Sequence, residues 1–374
     1  MSKLSYVSLT SEGFSFHTLE LHYCPKAHEF TEIKKYIKWK SKDCGKEYYR
    51  LDKYESDCVY SALLQDQGIR IYMTKADKNN IVKLVINPRR LLDENAGYIG
   101  IFHISSKSFE EFYDKFTEAM RVAKLPEAFD DWKLTRLDLC VNLQSDRKKL
   151  PMALIYLLSR AATPAGYEKN HFIEDLRAGG NGKRDGWAHR LELSNDSVSF
   201  VAYDKIFQAK KENLIVESKY QDKGILRIEL QLYKRWLDKY AKKEGIHSTS
   251  ALLEILADNS KALICKYAGR LFPGGVHYHM GELKDNIKDA LKIKDKTRKK
   301  MLELVKALDD TISFDKAWDR VSESWTKKQR KNVLAAFKKL GINPIPLHYK
   351  KLERLPSVVE ILSSLDEEED EAWL

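Results

Sequence analysis

Four stretches in which apolar and polar residues alternate constrain the fold of this chain more than any other feature. Residues 134–143 (LTRLDLCVNL) place leucine and valine on one face and Arg136, Asp138 and Asn142 on the other. The same period of two continues through residues 188–194 (AHRLELS), 197–205 (SVSFVAYDK) and 225–232 (ILRIELQL). This pattern is typical of antiparallel strands that pack against a core on one side. We therefore expect an antiparallel sheet whose second face carries carboxylates, arginines, a tyrosine and a lysine.

The rest of the chain predicts an α+β protein in which an antiparallel-sheet core with packed helices precedes a helical part. Residues 1–60 have no clear pattern, whereas strand signals follow at 68–75, 80–88 and 97–105, and helices are predicted at 106–124 and 151–162. Residues 163–186 are predicted to be a loop. Beyond residue 246 the pattern is helical, with a long helix at 283–310 and two short ones at 313–325 and 326–340. We predict an α+β domain over 1–245, a helical DNA-binding or accessory domain over 246–365, and an acidic tail over 366–374.

The charge balance favours an anionic partner. The net charge is +10 although the tail contains the run DEEEDE, so the remainder of the chain is more basic still. Nucleic acid is the first candidate partner, and a lysine-rich surface without a specific partner is the alternative. There is no run of eighteen apolar residues and no apolar signal-peptide core, so no membrane partner is predicted. Five cysteines without paired spacing predict reduced thiols in the cytoplasm and no zinc site.

A glycine-rich segment at residues 179–186 contains Lys183 and Arg184. Its GGNGK sequence lacks the spacing of a P-loop and the Ser or Thr that follows one, so nucleotide binding is not expected. We interpret it as a basic loop that contacts DNA phosphates.

The order of three motifs, RLDLCVN, VAYDK and LRIELQLYKRWL, resembles the gene II-like (II/X family) replication initiators of filamentous phages. The resemblance covers roughly residues 80–345, including VINPRRLL and KKLGINPIPL, and extends more distantly to plasmid rolling-circle initiators. It implies an origin-specific, metal-dependent DNA nickase and strand-joining enzyme with a nickase core. Such an enzyme initiates rolling-circle replication through a covalent phosphotyrosine.

The resemblance implies that Tyr203 is the nucleophile, with Tyr167 as the second candidate. A phenol with a pKa near 10 is a weak nucleophile at neutral pH and requires a nearby cation, base or metal. Lys205, two residues further on and on the same face of the predicted strand, is expected to stabilise the phenolate or the phosphate charge. The alternative is that Tyr203 is an ordinary sheet tyrosine.

Asp138 and Glu229 are the predicted ligands of a divalent cation, Mg²⁺ or Mn²⁺, because both lie mid-strand on polar faces. The alternative is a charge ladder, in which the two carboxylates form ion pairs with Arg136 and Arg227 on the sheet surface. If the carboxylates bind a metal instead, the two arginines are expected to bind DNA phosphates. His277 and His279 form a His-hydrophobe-His pair that resembles the metal ligands of another nickase class. Their position among predicted helices makes a chance occurrence the stronger interpretation.

Further DNA contacts are expected from Lys234, Arg235, residues 292–300 and residues 327–331. The latter follow the predicted junction of a helix-turn-helix or of an ordinary helical bundle. The predicted partners are origin DNA, either single-stranded or as a supercoiled duplex, and a host helicase and polymerase in the cytoplasm of a bacterial host cell. Two alternatives remain: a non-catalytic DNA-binding replication-control protein, and the relaxase of a conjugative element.

Overall fold

The computed structural model describes residues 9–51, 57–75, 79–174, 187–311, 313–349 and 352–365. Its strands are β1 (Thr10–Tyr23), β2 (Tyr48–Arg50), β3 (Asp57–Ser61), β4 (Ile69–Lys75), β5 (Asn80–Ile86), β6 (Lys133–Ser145), β7 (Glu168–Glu174), β8 (Trp187–Ser194), β9 (Val198–Asp204), β10 (Gly224–Tyr233), β11 (Val276–Tyr278) and β12 (Arg354–Pro356). Its α-helices are α1 (Ala27–Asp43), α2 (Pro88–Leu92), α3 (Ser106–Ala123), α4 (Leu150–Arg160), α5 (Lys205–Lys211), α6 (Lys234–Glu244), α7 (Thr249–Asp258), α8 (Ser260–Leu271), α9 (Met280–Lys288), α10 (Asp295–Asp310), α11 (Phe314–Ser322), α12 (Lys327–Leu340) and α13 (Val358–Ser364). The predicted acidic tail lies outside the described residues.

Ten strands form one antiparallel sheet in the order β2-β3-β4-β5-β1-β6-β10-β9-β8-β7. The four stretches of alternation become β6, β8, β9 and β10, which are adjacent in the sheet in the order β6-β10-β9-β8. The predicted antiparallel core is therefore confirmed. The strand β1 pairs with both β5 and β6 and joins the two halves of the sheet, although its part of the sequence has no clear pattern.

One face of the sheet, here the inner face, carries the hydrophobic core. Phe16, Leu139, Phe200 and Leu230 are completely buried in a cluster that also contains apolar residues of α1, α3, α4, α7 and α8. Because α7 and α8 pack on this sheet, the start of the predicted second domain shares its core with the first. A boundary at residue 245 therefore stays a prediction. None of the helices in the described ranges is long and apolar enough to span a bilayer.

Three predicted elements differ in the structure. Residues 97–105 were predicted to be a strand but are irregular, and the predicted loop at 163–186 contains the edge strand β7. The predicted long helix at 283–310 is two helices, α9 and α10, because the chain turns between them and buries Ile293.

Residues 97–101, here called the covering segment, lie over the opposite, outer face of the sheet. The guanidinium of Arg227, fully buried on β10, donates to Asn142 Oδ1 at 2.8 Å and to the carbonyl oxygens of Ile99 and Gly100. The Asn142 amide also donates to the Ile99 carbonyl at 2.8 Å. The segment is therefore held by side chains of the sheet, and this is why its carbonyls form no strand ladder.

We expect the substitution Arg227→Met to lower the free energy of unfolding by about 3–5 kcal/mol, because it leaves the Asn142 amide oxygen without its donor and removes a buried positive charge beside Glu229. The measurement is urea unfolding followed by circular dichroism. The matched control is Arg190→Met on the neighbouring outer face, where the side chain is 43% exposed and pairs with Glu192. This control should cost less than about 1 kcal/mol. Equal effects of the two substitutions would contradict the structural role of Arg227.

Candidate functional site

Among the residues that the structure describes, one group of three side chains has metal-ligand chemistry at metal-ligand spacing. His17 on β1, Asp138 on β6 and Glu229 on β10 bring one ligand atom each to within 4.8 Å of one another. Asp138 and Glu229 are almost completely buried, and His17 Nε2 lies 3.4 Å from Glu229 Oε1. The fold thus brings together the two carboxylates that the sequence predicted as ligands and adds a histidine that it did not predict.

A β-bulge places His17 in this group. Phe16 pairs with Leu139 and Thr18 pairs with Asp138, so His17 is the extra residue between them. A bulge turns a side chain away from the regular alternation of its strand. The sequence contains a signal for it, because the apolar positions of β1 change from a spacing of two to a spacing of three between Phe16 and Leu19.

Tyr203 lies directly beside this group. Its hydroxyl donates to Glu229 Oε1 at 2.5 Å, and the side chain is 4% exposed on the outer face of β9. Burial raises the pKa of Tyr203 well above its usual value, and the negative charge of Glu229 raises it further. In this arrangement the phenol keeps its proton and is oriented by the carboxylate.

Lys205 does not lie on the strand as predicted, because the chain begins α5 at that residue. The Asp204 side chain accepts from the backbone N–H of Phe207 at 3.0 Å and caps the helix, which ends the strand one residue before Lys205. The ammonium nevertheless lies 5.6 Å from the centre of the Tyr203 ring. Burial, and then the charge of Arg227, lower the pKa of Lys205 to about 7. Lys205 therefore gives up its proton more readily than a surface lysine.

Of the two arginines in the charge-ladder alternative, Arg136 forms the ion pair with a carboxylate that this alternative predicts. Arg136 donates from Nε and Nη2 to the two oxygens of Asp138, both at 2.8 Å, and also contacts Glu20 at 3.4 Å. Arg227 instead binds Asn142 and the covering segment, and in this position it has no face open to a phosphate. Phosphate binding by either arginine stays a prediction.

The donor set fits a hard divalent ion. Burial raises the pKa of Asp138 to about 7. Burial alone would also raise the pKa of Glu229, but His17, Arg227 and the Tyr203 hydroxyl lower it to about 2. Burial lowers the pKa of His17, so its imidazole is neutral, as metal ligation requires. The two carboxylates suit Mg²⁺ or Mn²⁺, and the imidazole favours Mn²⁺ of the two, because Mg²⁺ prefers oxygen ligands.

The remaining predicted residues lie away from this group or outside the described chain. Tyr167 and Arg235 line an open groove of about 740 Å³ at the β8–β9 turn, together with Trp236, Lys239 and Tyr267. Lys234 is exposed at the start of α6, and Arg235 pairs with Asp196 at 3.6 Å. Lys183 and Arg184 lie outside the described residues.

The histidine pair at β11 makes contacts of a structural kind. His277 Nδ1 lies 2.8 Å from the Ile345 carbonyl oxygen, and His279 Nε2 lies 2.6 Å from that of Leu352. These contacts link β11 to the segment between α12 and α13. They support the interpretation that the pair arose by chance with respect to metal binding.

Comparison with known proteins leaves the family open. No protein-family model matches the chain, and no curated protein sequence matches it. Among solved structures, it is similar to the rolling circle replication initiator protein from Geobacillus stearothermophilus, with 12% identity and a TM-score of 0.35 over 71% of this chain and 86% of that one. A TM-score of 0.35 is too low to establish a common fold, so the function must be argued from this chain's own residues.

We expect Mn²⁺ to bind the wild-type protein and raise its melting temperature, because a cation relieves the repulsion between two buried carboxylates. Ligand at about a hundred times its Kd stabilises a protein by about 2.7 kcal/mol. The substitutions His17→Ala, Asp138→Asn and Glu229→Gln should each reduce the shift, and electron paramagnetic resonance of free Mn²⁺ measures the binding directly. The control is Glu192→Gln, because Glu192 lies on β8 and on the same outer face of the sheet but is not part of the group of three ligands. An equal shift in all four variants would contradict a metal site at His17, Asp138 and Glu229.

Proposed function

We propose that this protein is a metal-dependent, site-specific DNA nickase and strand transferase that initiates rolling-circle replication at its own origin. The observation that carries the proposal is the Tyr203 hydroxyl, which donates to Glu229 within a group of buried ligands formed with His17 and Asp138. Active sites concentrate such buried, mutually perturbed titratable groups. The order of the three motifs and the basic charge of the chain give independent support.

The proposed reaction transfers a phosphodiester from DNA to the tyrosine. The Tyr203 oxygen attacks the scissile phosphorus, the bond from phosphorus to the 3′ oxygen breaks, and that oxygen takes up a proton and becomes a primer 3′-OH. Glu229 would orient the hydroxyl and accept its proton. Lys205, whose ammonium lies 5.6 Å from the centre of the Tyr203 ring, would stabilise negative charge on the phenol oxygen. A bound Mg²⁺ or Mn²⁺ would polarise the phosphate. Strand joining is the reverse attack by a 3′-OH on the phosphotyrosine.

Two residues beyond the sequence prediction would serve this reaction. His17 would complete the ligand set, and 21% of its side chain is exposed. Arg190 pairs with Tyr203 across the strands β8 and β9, and its guanidinium lies 5.9 Å from the centre of the tyrosine ring. Arg190 is more accessible than Arg227, the other arginine near the phenol. We therefore assign Arg190, together with Arg136, to binding of the scissile phosphate. A host polymerase would extend the 3′-OH while a host helicase displaces the strand.

We expect the wild-type protein to nick supercoiled plasmids that carry the DNA flanking its own gene, in Mg²⁺ or Mn²⁺ and not in excess chelator. Tyr203→Phe removes only the hydroxyl, so folding and DNA affinity should persist while nicking and joining are lost. The covalent product is detected on a denaturing gel with a 3′-labelled single-stranded oligonucleotide of the nicked region, followed by peptide mapping. The matched control is Tyr233→Phe, at the end of β10, where the hydroxyl donates to Gln231.

The position of the adduct decides the assignment. Cleavage by the Tyr203→Phe protein, or an adduct that maps to Tyr167, would remove Tyr203 from the mechanism. Asp138→Ala and Glu229→Ala should abolish cleavage and leave DNA binding mostly intact. Undiminished nicking in chelator would refute the metal requirement.

The burial of Tyr203 favours one alternative function, a DNA-binding replication-control protein that does not cut. A tyrosine that is 4% exposed and hydrogen-bonded to a buried carboxylate also fits a purely structural role. Tight binding of the flanking DNA with metal present, but no adduct at any tyrosine, would establish that alternative.

A further inference from the structure

The outer face of β2, β3 and β4 carries a row of tyrosines. Tyr49, Tyr60 and Tyr72 are direct cross-strand neighbours, with ring centres 5.0 Å and 5.3 Å apart. Lys83 on β5 continues the row, and its ammonium lies 4.8 Å from the centre of the Tyr72 ring. Cross-strand aromatic pairs stabilise a sheet, and a row of three on the outer face also forms a continuous aromatic surface.

This part of the outer face is open. The helix α1 packs on the inner face, where Phe30, Ile33 and Ile37 join the hydrophobic core. On the outer side Tyr49 is 48% exposed, Tyr72 is partly exposed and Arg70 is exposed. Tyr60 lies between its two neighbours and is itself buried, so it supports the outer rings. The face therefore offers aromatic surface next to positive charge.

A chain of contacts joins this face to the candidate site. Lys83 Nζ lies 3.9 Å from Glu20 Oε2, and Glu20 Oε1 lies 3.4 Å from Arg136, which holds Asp138. Tyr72 and Asp138 lie on strands three positions apart, about 14 Å at the usual strand spacing. Through the strand pairs Tyr72 is level with Lys133, five residues along β6 from Asp138, so the two residues are roughly 22 Å apart. Tyr203 is level with Asn142 of β6, so a strand of DNA that runs from a phosphate at Tyr203 to Tyr72 must cross roughly 40 Å of this face.

We propose that the outer face formed by Tyr49, Arg70, Tyr72 and Lys83 binds the single-stranded DNA that flanks the nick. Bases stack on the exposed ring of Tyr49 and on the accessible part of the Tyr72 ring, and Arg70 and Lys83 contact phosphates. Stacking on aromatic side chains is tolerant of sequence because every base has a π-face, and positive charge beside it follows the backbone. This inference rests on the proposed function for the identity of the DNA, but it concerns binding and not cleavage.

The test is the affinity of the metal-free, full-length protein for a fluorescein-labelled oligo(dT) of about 16 nucleotides, within the usual range of single-strand site sizes. Fluorescence anisotropy measures the affinity. We expect Tyr49→Ala and Tyr72→Ala each to weaken binding about five-fold or more. The second probe is an oligonucleotide of the same length that has the sugar-phosphate backbone but no bases. It offers phosphates and nothing to stack, so both variants should bind it with the affinity of the wild type. Tyr49→Phe keeps the ring and should retain affinity for oligo(dT).

The control for a general aromatic effect is Trp39→Ala, because Trp39 is 59% exposed on α1, away from the outer face. It should leave the affinity unchanged. If Tyr72→Ala fails to fold, Tyr49→Ala and Arg70→Glu still test the same surface from exposed positions. The proposal would be overturned if Tyr49→Ala and Arg70→Glu both bound oligo(dT) with wild-type affinity. It would also be overturned if Tyr49→Ala lost as much affinity for the probe without bases as for oligo(dT).

The outcome separates this inference from the proposed function. Nicking through Tyr203 with unchanged oligo(dT) binding in the tyrosine variants would refute the stacking surface alone. Base-dependent binding that is lost in Tyr49→Ala, in a protein that never forms an adduct, would support the stacking surface and refute the nickase.

Discussion

The buried guanidinium of Arg227 is the interaction on which the outer face of the sheet depends. It holds the covering segment through the Ile99 and Gly100 carbonyls, fixes Asn142, and places a positive charge beside Glu229 and Tyr203. Buried carboxylates are stable only when positive charge or hydrogen bonds compensate for lost solvation. Arg227 provides that compensation for Glu229, as Arg136 does through two hydrogen bonds for Asp138. The two arginines of the polar strands thus keep two neighbouring carboxylates inside the protein.

The same arrangement explains why the Tyr203 phenol is protonated and held in one orientation. Its hydroxyl is buried and bound to a carboxylate, and both effects keep the proton on the phenol. A divalent cation at His17, Asp138 and Glu229 would reduce the negative charge that holds this proton. The dependence on metal that we propose is therefore a consequence of the local electrostatics, in addition to the need to polarise a phosphate.

The ten-stranded sheet presents two surfaces of different character on its outer face. Near β10 and β9 the covering segment and α5 bury the polar side chains, and near β4 and β2 the tyrosine row is open to solvent. The boundary between the two lies at β1 and β6, where Glu20 and Arg136 connect Lys83 to Asp138. This is a suitable geometry for an enzyme that cuts at a protected site and holds the flanking strand on an accessible one.

The sequence by itself determined the period-two strands β6, β8, β9 and β10, and therefore which side chains share the outer face. Asp138, Glu229 and Tyr203 lie together on that face, because alternation fixes the face of each residue, and their roles stay predictions. Only the tertiary structure decided that His17 joins them, that Lys205 begins a helix, and that Arg227 is buried under residues 97–101. The helix at Lys205 depends on the local cap by Asp204, whereas the other two features depend on a bulge in β1 and on contacts between segments more than a hundred residues apart. Alternation contains no information about either.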